Sequence, residues 1–150
     1  MSYIIGMDLT SIDTTAKFKL GGIGQTNDGK LYKYVQYNGS GAATLGAVAY
    51  YATVAVGNAT GTIVTSDLSN SDEVGAGVLA AAITANGYGW IQVTGVATIA
   101  VALTAGADGD PLTPTGSTDG TLDVSGAVTD SVCATAIDAS AKIILCNFPH

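Results

Sequence analysis

The chain has 150 residues, enough for one domain that buries roughly two thirds of its unfolded surface. Its net charge is −7 and arginine is absent, which excludes the clustered cations that direct nucleic-acid binding requires. Apolar residues make up 47% of it, aromatic residues 7% and charged residues 11%, a composition that suits strands and short turns better than long charged surface helices.

Met1 to Ala16 lacks clear periodicity and reads as an arm. Its Ile4, Ile5, Met7 and Leu9 make it too apolar for a simple disordered tail, so it either adds an edge strand to its own domain or docks on a neighbour. Met1 to Ile5 has neither the basic start nor the apolar core of a secretory leader, and no apolar run reaches the roughly 20 residues that span a bilayer. The expected setting is therefore the cytosol, or an assembly built there. Four of the five lysines (Lys17, Lys19, Lys30 and Lys33) fall in the first 40 residues, beside three acids; the remainder holds nine acids and Lys142. A mildly basic N-terminal part facing a partner and an acidic remainder facing solvent follow from that asymmetry.

The β domain is expected over residues 17–150. Phe18-Lys19-Leu20 starts a strand that Gly21 to Gly24 ends. Asn27-Asp28-Gly29 is a turn signal. Leu31 to Tyr37 is the next strand, with Tyr32, Tyr34 and Gln36 on one face and Leu31, Lys33, Val35 and Tyr37 on the other. Asn38 to Gly41 is a loop, Ala47 to Val56 a strand candidate, Thr62 to Thr65 a short strand, and Ser66 to Glu73 a surface loop. For Val74 to Ala85, the spacing of Val74, Val78 and Ala82 fits a helix, but Gly75, Gly77 and the hairpin-like sequel favour a strand. Asn86 to Gly95 organises the chain. It carries the sole tryptophan, a Gly87-Tyr88-Gly89 approach, and a strand in which Trp90, Gln92 and Thr94 share one face.

Beyond Gly95, Ala97, Ile99, Val101 and Leu103 alternate with small residues, the cleanest period of two in the chain. Trp90, Ile91, Val93, Ile99, Val101 and Leu103 are the expected core. Ala105 to Gly120 is a loop, and Leu122 to Val124 touches the sheet briefly. Val132 to Asp138 and Lys142 to Phe148 form a closing hairpin around Ala139-Ser140, which sets Cys133 opposite Cys146. A paired-strand spacing of about 4.5–5.5 Å between Cβ atoms is wider than the about 3.8 Å of a disulfide, so two reduced, buried cysteines are expected.

No catalytic, cofactor or metal site can be assigned. His150 is the only histidine and ends the chain, which makes a poor general base. Two cysteines without a histidine partner suggest neither a zinc site nor an activated thiol. Gly22-Ile23-Gly24 does not complete a dinucleotide fingerprint. Asp72-Glu73 and Asp108-Gly109-Asp110 lack the ligand ladder of a calcium loop and read as turn carboxylates.

In order and spacing, Phe18 to Gly21, Asp28 to Gln36, Gly87 to Gly95, and Ala105 to Gly120 with Gly109-Asp110-Pro111-Leu112 inside it, resemble the capsid decoration (cement) proteins of tailed bacteriophages. The resemblance runs from about Phe18 to Phe148. It implies an all-β, single-domain antiparallel β-sandwich or barrel-like module with an extended N-terminal arm. It further implies a non-enzymatic virion protein, often a homotrimer, that sits on the outer capsid surface and clamps neighbouring major capsid subunits. The capsid-facing side expected on this basis is the arm (Ile4, Ile5, Met7, Leu9) together with Lys17, Lys19, Lys30 and Lys33. No cofactor, nucleic acid or membrane is expected, and the host cytoplasm is the place of assembly. A tail or fibre component, or a carbohydrate-binding β module, is the competing expectation; exposed Tyr and Trp along a groove would favour it.

Overall fold

The computed structural model describes residues 7–39, 44–53 and 61–150. Ile4 and Ile5 of the arm, Ser40 and Gly41 of the first loop, and Val54 to Val56 of the Ala47 to Val56 strand lie outside the described residues. The architecture is all-β, in two sheets. The first contains β1 (Ile23–Gln25), β2 (Leu31–Tyr37), β3 (Val48–Ala52), β4 (Ile63–Thr65), β5 (Ser71–Leu79) and β6 (Tyr88–Gln92). Their order is β1-β2-β4-β3-β5-β6, and β6 returns to β2, so β2 to β6 form a partly closed barrel. Pairing is antiparallel except between β2 and β4, where Gln36 and Tyr37 lie parallel to Ile63 and Val64. The second sheet is antiparallel, in the order β7-β11-β10-β8-β9. It comprises β7 (Thr94–Thr98), β8 (Pro111–Thr113), β9 (Asp123–Val124), β10 (Ala134–Asp138) and β11 (Ile143–Asn147).

Both faces of β2 are used, as its alternation requires. Val35 and Tyr37 enter the main core with Ile91, Val78 and Tyr50. That core continues through Ala97, Ile99, Leu112, Ile144 and Phe148 into the inner face of the second sheet. Tyr32 and Tyr34 point the other way and pack with Trp90 in a separate aromatic cluster. Met7, Leu9, Phe18, Leu20, Ala80 and Tyr88 cover this cluster. The segment from Met7 to Leu20 thus lies over its own barrel, where Asp13 forms a single β-bridge with Tyr88.

Several local expectations need correction. Phe18 to Leu20 is not a strand. A turn closed by the Gly22 N–H on the Lys19 carbonyl (3.0 Å) precedes β1, and Phe18 packs its ring edge-on against Tyr34. The Ser66 to Glu73 loop contains a 3-10 turn, Leu68–Asn70, capped by the Asp67 carboxylate, and β5 already starts at Ser71. Conversely, β5 stops at Leu79, short of Ala85. The Ala105 to Gly120 loop hides β8, whose leading Pro111 needs no ladder N–H. Past Thr98 the alternation leaves the strand: the Ala100 N–H turns to the Gly46 carbonyl (2.9 Å), and Val101 and Leu103 are half-buried loop residues, not core.

The closing hairpin exists, but one position out of register. Cys146 faces Ala134, not Cys133, because residues 139–142 make a four-residue turn with Lys142 at φ 60° and a bulge at Ile137. Asp138 Oδ1 accepts the Ala141 N–H (2.9 Å) and the Ser140 hydroxyl (2.7 Å), which stabilises the wider turn. Cys133 and Cys146 are free, buried thiols.

Two glycines of β5 permit the barrel to close. A Cβ on Gly77 would stand 2.7 Å from the Gln92 carbonyl oxygen and 3.0 Å from Ile91 Cβ. Backbone cannot yield there, so Gly77→Ala should destabilise the protein by about 1–3 kcal/mol in urea denaturation. Gly126, with nothing within 4 Å of its would-be Cβ and no left-handed φ, is the control. Gly126→Ala should stay within about 0.5 kcal/mol of the parent.

Candidate functional site

The second sheet presents alternate side chains to opposite sides. Its inner positions Ala97, Ile99, Leu112, Ala134, Ala136, Ile144 and Cys146 are buried. Its outer positions Thr94, Val96, Thr98, Pro111, Thr135, Ile137, Ile143, Leu145 and Asn147 are exposed or half-exposed. Register aligns Val96, Leu145, Thr135 and Pro111 in one row across four strands. None of the nine outer residues carries a charge, although the chain as a whole is at −7. Val96, Ile137 and Leu145 are large apolar side chains left more than two-fifths exposed. An uncharged, pleated, partly apolar face braced from behind by a packed core is suited to adhesion against another protein surface.

A groove of about 630 Å³ opens where β7 runs past the barrel, lined by Lys30, Tyr32, Leu45, Gln92, Val96 and Ala100 among others. The Gln92 amide donates to the Thr94 carbonyl (3.1 Å) and the Val96 carbonyl (3.0 Å), which occupies much of the β7 edge.

The lysines of the basic N-terminal part have separate partners. Lys17 pairs with Asp13 (2.9 Å) on the aromatic-cluster side of β2. Lys33 projects from the opposite side; its ammonium donates to the Tyr51 hydroxyl (2.8 Å) and lies over that ring at 4.9 Å. Lys30 approaches Asp28 (3.7 Å), and Lys19 is exposed. Of the arm residues, Met7 and Leu9 are half-buried against the aromatic cluster.

The aromatic residues form no platform among the described residues. Trp90 is 1% exposed, with Tyr34 and Phe18 rings at 5.1 and 5.4 Å, and Tyr51 and Tyr88 are half-buried. Burial pushes the Cys133 and Cys146 thiols up to about 12, so neither is a nucleophile near neutral pH. Asp108 Oδ1 accepts the Ala139 N–H (2.9 Å) and Asp110 Oδ2 the Ala107 N–H (2.8 Å), so both carboxylates fix local turns. Among the described residues no three His, Cys, Asp or Glu side chains are grouped to hold a metal, and no helix is long and apolar enough to cross a membrane.

The outer face went unrecognised in the sequence. A signal was present in Ile143-Ile144-Leu145-Cys146, apolar on both faces of a strand that has a core on one side. Equally hidden was the buried carboxylate that fastens the N-terminal segment. Asp13, 4% exposed, accepts from the Tyr34 hydroxyl (2.6 Å), the Ser11 hydroxyl (2.6 Å) and the Lys17 ammonium (2.9 Å). Burial alone would raise its pKa; the bonds from Ser11, Tyr34 and Lys17 outweigh burial and hold the carboxyl below the ordinary value. Burial and the same carboxylate push the Tyr34 phenol up to about 12.

A carboxyl with a depressed folded-state pKa contributes stability above its unfolded value and loses it as pH falls through the folded one. Asp13→Asn should therefore cost about 2 kcal/mol in urea denaturation at about pH 7, and the difference from the parent should shrink toward zero at about pH 3. No protein-family model, curated protein or solved structure matches this chain.

Proposed function

We propose that this protein is a non-enzymatic structural protein of a bacteriophage virion, which sits on the outer capsid surface and stabilises the shell by clamping neighbouring major capsid subunits. The observation that carries the reading is the uncharged outer face of the second sheet, with Val96, Ile137 and Leu145 exposed on it. A contact of this kind needs little desolvation of charge, and a single weak contact becomes strong when many copies bind one lattice. The −7 charge lies outside this face, where it keeps the outward surface soluble. Burial of Trp90, and the lack of exposed aromatic rings along a groove among the described residues, favours this reading over the carbohydrate-binding alternative. In this proposal the arm and Lys19 contribute at the rim, since Lys17, Lys30 and Lys33 already have partners within the chain.

Quantifying the chain in purified virions separates the main reading from a tail component. A shell protein is present in hundreds of copies, about one or more per capsid hexamer or pentamer position, and a tail component in a handful. Leu145→Asp, at an exposed position that leaves the core untouched, should weaken co-sedimentation with capsids lacking the protein by at least about tenfold. Undiminished co-sedimentation would remove the sheet face from the mechanism. Truncation through Ala16 is a poorer test, because it also uncovers the aromatic cluster around Trp90.

A further inference from the structure

Between β9 and β10 the chain makes a turn whose most prominent side chain is apolar. Val128 is 104% exposed, more than any other large hydrophobic residue of the described chain. The turn is held rigid beneath it. Asp130 Oδ2 accepts the Gly126 N–H (2.8 Å), the Ala127 N–H (2.9 Å) and the Ser125 hydroxyl (3.1 Å), and the Asp130 N–H closes back on the Ala127 carbonyl (3.1 Å). Those bonds, first the backbone ones, hold the Asp130 carboxyl below its ordinary pKa, so it stays charged while Oδ1 is left without a partner among the described residues. A fixed valine beside a carboxylate is a preformed knob that loses little conformational entropy on docking.

At the other edge of the same sheet, four strand spacings or about 19 Å away, lies the groove beside β7. Leu45, 65% exposed, and Val96 flank it, and Lys30 is its one charged lining residue. Knob and groove match in apolar character and oppose in charge, and they sit at opposite edges of one sheet. Surfaces so placed cannot meet within a chain, but they meet when copies are set head to tail.

We propose that the Val128 turn of one copy seats in the groove beside β7 of a second copy, with Asp130 toward Lys30, and that this contact repeated three times closes the trimer. The proposal deepens the shell-protein reading by naming the self-contact, yet its test needs no capsid and so fails or succeeds separately.

The test uses the isolated full chain in sedimentation equilibrium. Val128→Asp and Leu45→Asp both alter exposed residues, so each variant should keep the parent's unfolding curve and lose trimer affinity by at least about tenfold. A mixture of the two variants leaves one intact knob and one intact groove, and should give a dimer at raised concentration without trimer. A parent that stays monomeric would overturn the proposal. So would two disruptive variants whose mixture forms no dimer, which points to a two-fold contact instead. Trimers that survive Val128→Asp but are lost on deletion of Met1 to Gly6 would assign the groove to the N-terminal segment and overturn it as well.

Discussion

The two sheets are joined through one residue. Strands β6 and β7 follow each other with only Val93 between them, so the chain crosses from barrel to second sheet without a loop. The Val93 N–H donates to the Leu31 carbonyl in the barrel (2.9 Å), and its carbonyl accepts from the Phe148 N–H at the end of the second sheet (3.0 Å). The Leu31 N–H in turn donates to the Thr94 hydroxyl (3.1 Å). A single peptide unit therefore belongs to both hydrogen-bonded ladders, and its side chain is buried in the core they share. Sliding one sheet over the other would leave these buried backbone groups without partners, each at a cost of about 1–3 kcal/mol.

From that junction the surfaces divide. The barrel buries one face of β2 and β6 against the second sheet and the other under residues from Met7 to Leu20. Once both are covered, the outer face of the second sheet is the broad pleated surface that remains without a cover. Its stiffness is inherited from the core behind it, because every second residue of β7, β10 and β11 is packed. A rigid face loses little entropy when it meets another surface, and this is the physical link between fold and the adhesive role proposed for it. The acidic residues sit instead in turns, where Asp8, Asp28, Asp130 and Asp138 accept hydrogen bonds from neighbouring hydroxyl and amide groups and so shape the loops they occupy.

Much of the barrel was legible because its signals are local. Leu31 to Tyr37 shows strict alternation between Gly29 and Gly39, and the strand occupies those residues. Ile63 to Thr65 and Asp123-Val124 were also readable, as short β-branched pieces between turn residues. What escaped depends on partners far away in the chain. Strand β8 is three residues long and exists because Ala134 and Val124 lie on either side of it. The closing hairpin shifted by one position because Asp138 caps a four-residue turn, a choice that Ala139-Ser140 does not advertise. Alternation at Val96 and Leu145 revealed a strand, but a period of two cannot say which of two apolar faces a second layer will cover. Asp13 offered no local sign at all: its partner Tyr34 is brought to it only when Met7 to Leu20 folds over the barrel.

Native-state hydrogen exchange at single-residue resolution bears most directly on the shared junction. If Val93 locks the sheets into one cooperative unit, the amides of Tyr34, Val93, Ile144 and Phe148 should exchange with a common opening free energy, equal to that of global unfolding. Barrel amides that exchange through a lower-energy opening, while Ile144 and the rest of the second sheet stay protected, would contradict it.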